Sequence, residues 1–191
     1  MLPKEMAEAL SSIVKELDEH KIEYMIIGSV AACLHGAIMT KPPSDVDILV
    51  TDYRKARVLF NSTNLAKVAI NRNGVDFEII NNSDGDFGIP QKWAMELHLD
   101  SSNISVWVSN LYETIRSLIL RPGVREKEKE AINSLMKSKG DSLGCEKCEQ
   151  IALLFESKFC RGSSASSKKV EDEEEIVAQS PVASSSSSKK I

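Results

Sequence analysis

The chain has 191 residues, of which 42% are hydrophobic and 27% are charged, and this composition is typical of a globular domain with its own core. Its formal net charge of −4 is unlike the basic charge of most proteins that bind nucleic acid through phosphates. No apolar run approaches the roughly 20 residues that cross a bilayer, and "MLPKEMAEAL" lacks the apolar segment of a signal peptide. We therefore expect a cytoplasmic protein with no membrane segment.

The first predicted elements alternate between helix and strand. An apolar stripe at helical spacing after Pro3 predicts a helix, and "EYMIIG" (23–28) predicts a short strand. The segment "SVAACLHG" (29–36) predicts a second helix that ends at its glycine. Two successive prolines predict a loop in "AIMTKPPS" (37–44), and "DVDILV" (45–50) predicts the next strand.

The middle of the chain continues this pattern. A helix is predicted at 52–62, with Asp52 as its N-cap. "LAKVAI" (65–70) and "GVDFEII" (74–80) predict two strands joined by an Asn-Gly hairpin turn. A loop is predicted at 81–88, a short helix for "PQKWAMELH" (90–98) and a strand for "ISVWVS" (104–109), with Trp93 and Trp107 in or near the core.

Helices dominate the remainder of the predicted body. They cover 110–120, with Asn110 as N-cap, then 125–138 and 146–159, and the charged run "RPGVREKEKE" (121–130) is interpreted as a solvated helix face. The order of elements predicts an α/β or α+β fold, with a mixed β-sheet flanked by helices. We assign a sheet domain to 1–120, helices packed on it to 121–160, and a disordered tail rich in Ser, Glu and Lys to 161–191.

Two features of the C-terminal part allow more than one interpretation. Cys145 and Cys148 form a CxxC pair, but no histidine follows, so a helix that carries two thiols is favoured over a metal site. The tail, or the C-terminal helices, could bind a partner protein, although a solvated tail is the simpler interpretation.

Acidic residues at strand spacing are the main candidates for chemistry. Asp45 and Asp47 are two residues apart on one predicted strand, so their carboxylates share a face. Two like charges so close repel each other, and a divalent cation would relieve that repulsion. Asp76 and Glu78 repeat the spacing on a later strand. The alternative for both pairs is a solvated polar strand face.

Gly28 and Ser29 lie between a predicted strand and a predicted helix. Backbone N–H groups and the helix dipole at such a turn favour an anion such as phosphate, but many glycines at such turns are present for steric reasons alone. If the strand of Asp76 and Glu78 lies beside that of Asp45 and Asp47, a third carboxylate joins the cluster. Three carboxylates near a phosphate-binding turn form the arrangement of two-metal catalysis for in-line displacement at phosphorus.

"IIGSVAACLHG" followed by "SDVDILV" resembles the nucleotidyltransferase superfamily, which has the polymerase-beta-like fold. The resemblance covers residues 20 to 120. It is greatest to small bacterial and archaeal nucleotidyltransferase-like proteins, including the toxin type of abortive-infection and toxin–antitoxin systems. These often contain "GGxAxxxHG", which "GSVAACLHG" nearly matches.

The resemblance implies an enzyme that transfers a nucleoside monophosphate from a nucleoside triphosphate such as ATP to a hydroxyl acceptor. The acceptor would be a tRNA or other RNA end, a protein or a small molecule. Gly28 and Ser29 would hold the β- and γ-phosphates, and Asp45 and Asp47 would bind Mg²⁺ or Mn²⁺. Asp76 would be the third metal-binding acid and would activate the acceptor hydroxyl, with Glu78 as the alternative.

The sequence also departs from the family pattern. Relatives often carry Arg-x-Thr shortly before the paired aspartates, whereas this loop contains Lys41 and no arginine. Lys41 is then the candidate for contact with the triphosphate, without the bidentate geometry of arginine. No clear counterpart of the later family residues exists among Arg116, Arg121 and Arg125. The other hypotheses are an inactive binding module of the same fold and the partner-regulated half of a toxin–antitoxin pair.

Overall fold

The computed structural model describes residues 2–81, 94–99, 104–123 and 125–160. The predicted tail at 161–191, the predicted loop at 81–88 except for Asn81, and Trp93 lie outside the described residues. Within the described residues no helix combines the length and apolar character needed to cross a bilayer.

A mixed β-sheet forms the centre of the described structure. Its strands are β1 Tyr24–Ile27, β2 Asp45–Val50, β3 Lys67–Arg72, β4 Val75–Asn81, β5 Ala94–His98 and β6 Ser105–Ser109. Their order across the sheet is β3-β4-β2-β1-β6-β5. The β2–β4 and β1–β6 pairs are parallel, and the other neighbouring strands are antiparallel.

Six α-helices accompany the sheet in the part of the chain that the structure describes. They are α1 Lys4–Glu19, α2 Gly28–Leu34, α3 Tyr53–Leu59, α4 Leu111–Leu120, α5 Glu126–Lys139 and α6 Cys145–Phe155. A 3₁₀ turn, Gly140–Leu143, joins α5 to α6, and a π-helical turn, Glu156–Cys160, follows α6. These elements confirm the predicted α/β class with a mixed sheet.

One face of the sheet carries the larger hydrophobic core. Val46, Ile48 and Val50 of β2 are fully buried, as is Ile79 of β4, and Phe77 of β4 is almost so. They pack in one cluster with the apolar stripe of α1. Because strand side chains alternate, this burial directs the acidic residues at the intervening positions of β2 and β4 to the opposite face.

A second hydrophobic cluster lies among the helices. It joins Ala32 of α2 to Ile115 and Ile119 of α4, Leu135 of α5 and Ile151 of α6. This cluster therefore connects the helix that follows β1 with the three C-terminal helices, and it fixes the end of α4 relative to the sheet.

Three sequence-based predictions are wrong at the level of single elements or residues. Ala94–His98 was expected to be helical but is strand β5, because it pairs along its whole length with β6. Trp107 was expected in or near the core but is 42% exposed, since it lies opposite the buried face of β6. Glu128 was assigned to a solvated helix face but is only 1% exposed, because two arginine side chains lie against it.

Candidate functional site

The paired aspartates lie beside the turn that ends β1. Antiparallel pairing of β1 and β2 sets Ile27, the last residue of β1, opposite Asp47. Gly28 is the next residue in the chain and therefore lies beside that aspartate. Asp47 is 7% exposed, whereas Asp45 is half-buried and accepts a hydrogen bond from the Ser44 hydroxyl at 3.1 Å. The two carboxylates thus share a face, as their spacing predicts, with the inner one largely removed from water.

Gly28 is required at this turn for two reasons. Its φ of +72° lies in the left-handed region that side chains disfavour. A Cβ at this position would also stand 2.7 Å from Asp47 Oδ2 and would collide with the guanidinium of Arg121. The absence of a side chain therefore lets the backbone approach the aspartate closely.

Arg121, the residue that caps the C-terminus of α4, provides a cation to Asp47. Its Nη2 donates to Asp47 Oδ2. Burial raises the pKa of the Asp47 carboxyl above its usual value, and the Arg121 guanidinium opposes that rise. Burial disfavours the charged guanidinium too, but the carboxylates of Asp47 and Glu128 outweigh it and raise the pKa of Arg121.

Glu128 of α5 lies behind this pair. Its Oε1 is 3.7 Å from Arg121 Nη1 and 3.6 Å from Arg125 Nη1. Asp47, Arg121 and Glu128 thus form a line of alternating charges from β2 to α5. The Arg121 carbonyl oxygen accepts a hydrogen bond of 2.8 Å from Lys158 Nζ, which ties the same residue to the turn after α6.

The second acidic pair lies on the neighbouring strand, in register with the first. Parallel pairing of β2 and β4 sets Asp45 beside Asp76 and Asp47 beside Glu78. All four side chains therefore share one face of the sheet. Exposed Asp76 accepts a 2.7 Å hydrogen bond from Asn71 Nδ2.

Glu78 has different surroundings from Asp76. It is half-buried and forms an ion pair with Lys67 of β3. The negative charges of Glu78 and Asp45 both raise the pKa of Asp47, after the larger effect of burial. Of the two acids on β4, Glu78 is thus the one level with Asp47 along the sheet.

The two other predicted phosphate-binding residues, Ser29 and Lys41, differ in burial. Ser29 is 3% exposed in the first turn of α2, a helix whose N-terminus has no side-chain cap. Lys41 is exposed on the loop between α2 and β2. That loop is fixed to α5, because Thr40 donates through its amide and its hydroxyl to Glu130. These hydrogen bonds from Thr40 lower the pKa of Glu130, and the positive charge of Lys41 adds a smaller effect in the same direction.

The donor chemistry of this face suits a hard divalent cation, because Asp45 and Asp47 offer carboxylate oxygens on the same side of β2. The guanidinium of Arg121, which lies against Asp47, would compete with such a cation for that carboxylate. Within the described residues, no three His, Cys, Asp or Glu side chains converge to enclose an ion. Asp45 and Asp47 are thus brought together, and Asp76 is in register with Asp45, without forming a compact triad.

His35 and the two cysteines of the CxxC pair lie outside this acidic face. His35 Nε2 donates to the Ser109 carbonyl at 2.7 Å and is buried, so it joins α2 to the end of β6. Cys145 is exposed, and the Cys148 thiol lies 3.2 Å from the Gly140 carbonyl oxygen.

Sequence reasoning missed the place of Arg121 in the site. It considered Arg121 only as one of three arginines without a clear counterpart. The local signal is a cation at the end of an apolar helix and just before Pro122, where the chain leaves the helical conformation. Its partner is 74 residues away in sequence, so only the assembled fold shows the pairing.

Comparisons with known proteins agree with this fold. No protein-family model matches the sequence, and no curated protein has a significant match. An antigenic nucleotidyltransferase-like protein from Paracoccidioides brasiliensis is 18% identical, with a TM-score of 0.54 over 86% of this chain and 93% of that one.

The antibiotic-resistance factor ANT(2'')-Ia has the same architecture. Its solution structure is 15% identical, with a TM-score of 0.55 over 83% of this chain and 95% of its own. Its crystal structure in complex with adenylyl-2''-tobramycin is also 15% identical, with a TM-score of 0.54 over 81% and 98%. The chain therefore has a nucleotidyltransferase-like fold, as its resemblance to that superfamily implies.

Proposed function

We propose that this protein is a nucleotidyltransferase, which transfers a nucleoside monophosphate from a nucleoside triphosphate to a hydroxyl acceptor. The observation that carries the proposal is the approach of Gly28 to Asp47, which sets a turn without a side chain against the paired aspartates. The complex of ANT(2'')-Ia with an adenylylated antibiotic supports transfer of this kind by the fold.

The reaction is an in-line displacement at the α-phosphorus. The acceptor oxygen forms a bond to that phosphorus, while the bond to the oxygen bridging the α- and β-phosphates breaks. The electron pair of the broken bond leaves with pyrophosphate. The proton of the acceptor hydroxyl passes to a carboxylate, a role that we assign to Asp76, with Glu78 as the alternative.

Asp45 and Asp47 are the groups that would hold Mg²⁺ or Mn²⁺. Bound there, the cation would neutralise phosphate charge and lower the pKa of the acceptor hydroxyl. Magnesium sites commonly combine one or two carboxylates with water and substrate phosphates, so a pair of aspartates is a sufficient protein contribution.

Backbone groups at the start of α2 are the proposed contacts for the β- and γ-phosphates. The helix begins at Gly28 without a side-chain cap, and N–H groups at a helix N-terminus favour anions. Ser29 adds a hydroxyl in the same turn, and Lys41 on the following loop supplies a positive charge.

The third acid can be assigned by comparing matched variants. Asp76→Asn and Glu78→Gln each remove one charge from β4 with little change in shape. If Asp76 activates the acceptor, we expect Asp76→Asn to lower kcat by a factor on the order of 10² to 10⁴, with Glu78→Gln much less affected. The opposite order would assign the role to Glu78, which is in register with Asp47.

Label transfer tests the proposed function. The full chain is incubated with Mg²⁺ and each α-labelled nucleoside triphosphate, with tRNA, total protein or small hydroxyl compounds as acceptors. We expect label on one acceptor class with the wild type and none with Asp47→Asn. The control is Asp141→Asn, which makes the same exchange at an exposed position outside the site. Transfer that survives Asp47→Asn would refute the proposed mechanism.

A nucleotide-binding module without turnover is the second candidate. The contact between Arg121 and Asp47 favours it, because the carboxylate proposed to hold a cation already has a cationic partner. Calorimetric binding of ATP without label transfer to any acceptor class would support this alternative. If the protein is instead the partner-regulated half of a toxin–antitoxin pair, a partner protein bound by its C-terminal helices or tail should co-purify with it.

A further inference from the structure

A buried oxygen of Glu128 lacks a hydrogen bond. Glu128 is 1% exposed, and its Oε1 has no hydrogen-bond partner among the described residues. Buried carboxylate oxygens are seldom left in this state, because the lost hydration is costly. Two guanidinium nitrogens stand at 3.6 and 3.7 Å, near enough for attraction but too far for a good hydrogen bond. This acceptor is therefore available for a donor that moves slightly closer.

Arg121 is the neighbour that also touches the proposed catalytic face. Its Nη2 donates to Asp47, and its Nη1 lies 3.7 Å from Glu128 Oε1. Its backbone is fixed through the hydrogen bond from Lys158 to its carbonyl. A shift of the guanidinium by about 1 Å would bring Nη1 to the usual charge-assisted distance of roughly 2.8 Å from Glu128. The side chain can thus exchange one carboxylate for another without moving α4.

We propose that Arg121 is the exchangeable counter-ion of Asp47, and that Glu128 is its second binding position. The guanidinium neutralises Asp47 when no divalent cation is bound, and it transfers its hydrogen bond to Glu128 when a cation binds Asp47. This inference rests on the proposed function, because it assumes that Asp47 binds a divalent cation. Each buried charge then has a partner of opposite charge in either state. If Arg121 could not move, a cation bound to Asp47 would leave the buried guanidinium without its carboxylate partner.

Metal affinity, measured without nucleotide or acceptor, tests the exchange. Mn²⁺ is titrated into the full chain, and free Mn²⁺ is followed by electron paramagnetic resonance. Because Arg121 competes with the cation, we expect Arg121→Gln to bind Mn²⁺ roughly tenfold more tightly than the wild type. Glu128→Gln should bind severalfold more weakly, since the guanidinium then has no charged alternative to Asp47.

Arg125→Gln is the matched control. Arg125 lies as close to Glu128 as Arg121 does but its side chain is 53% exposed, and no contact with Asp47 is among its described interactions. Its removal therefore tests whether the loss of any nearby positive charge tightens binding. We expect less than a twofold change. The weakening by Glu128→Gln should also disappear in the Arg121→Gln/Glu128→Gln double variant, whereas a simple charge effect would persist there.

The outcomes separate this inference from the function on which it rests. If Asp47→Asn abolishes Mn²⁺ binding but Arg121→Gln binds like the wild type, the exchange is wrong and the proposed cation site stands. If Asp47→Asn binds Mn²⁺ as well as the wild type does, the proposed cation site fails and the exchange fails with it. Circular dichroism checks that each variant is folded. Should Arg121→Gln not fold, unchanged Mn²⁺ affinity in Glu128→Gln would overturn the exchange by itself.

Discussion

At the scale of single residues, Gly28 makes the site possible because nothing projects from its Cα toward Asp47. We expect Gly28→Ala to cost about 1–3 kcal/mol of unfolding free energy from backbone strain, with a further loss from the contact with Asp47 and Arg121. Gly74→Ala is the control, since Gly74 has a similar φ of +80° but no atom within 4 Å of the position that a Cβ would occupy. Urea denaturation of both variants measures the difference, and equal losses would contradict a role for the close approach.

His35 provides a prediction about pH. Burial lowers the pKa of His35 below its usual value, and the hydrogen bond to the Ser109 carbonyl only partly opposes this. The unfolded chain therefore takes up the proton first as the pH falls below about 6.5. Between pH 7.5 and pH 5.5 the unfolding free energy of the wild type should therefore fall relative to that of His35→Gln. The fall should be no more than about 1.4 kcal/mol, because pH 5.5 is one unit below the ordinary histidine pKa of about 6.5. Urea denaturation at both values tests this, and a gain of relative stability at pH 5.5 would refute it.

At the scale of elements, alternating burial was the most informative sequence pattern. Val46, Ile48 and Val50 show why "DVDILV" could be placed with its acids on the opposite face. The Asn73–Gly74 turn fixed the β3–β4 hairpin, and both residues have the positive φ that this turn requires. Strand β5 was predicted as a helix because Ala, Met, Glu and Leu have high helix propensity. Its pairing with β6 outweighs that local preference.

The N-cap of α4 allows a test of how a helix positions the site. Asn110 accepts a hydrogen bond from the Glu113 amide at 2.9 Å, and Arg121 is the residue that follows the last turn of the same helix. We expect Asn110→Ala to cost about 1 kcal/mol of unfolding free energy and also to weaken label transfer. Asp52→Ala removes an equivalent cap from α3, so it should cost similar stability without affecting transfer. If both variants change label transfer equally, the α4 cap has no specific role in positioning the site.

At the scale of the whole molecule, the limits of sequence reasoning lie in contacts between distant segments. The parallel register of β2 and β4, which brings Glu78 level with Asp47, follows from the order of strands and not from either strand alone. Arg121 follows α4, whose packing against α2 in the second hydrophobic cluster helps to hold its guanidinium at Asp47. The division into a sheet domain at 1–120 and helices packed on it at 121–160 stays a prediction, and this cluster contains residues of both parts.

A substitution within that cluster tests whether the two units unfold together. Leu135 is fully buried among the helices, so we expect Leu135→Ala to cost about 2–5 kcal/mol of unfolding free energy. Because Ala32 and Ala37 from the N-terminal unit belong to the same cluster, tryptophan fluorescence and helical ellipticity should shift to lower urea by the same amount. The control Leu153→Ala removes the same atoms from a side chain that is 67% exposed and should change little. An ellipticity midpoint that falls while the fluorescence midpoint stays fixed would instead mean that residues 121–160 unfold independently of the sheet.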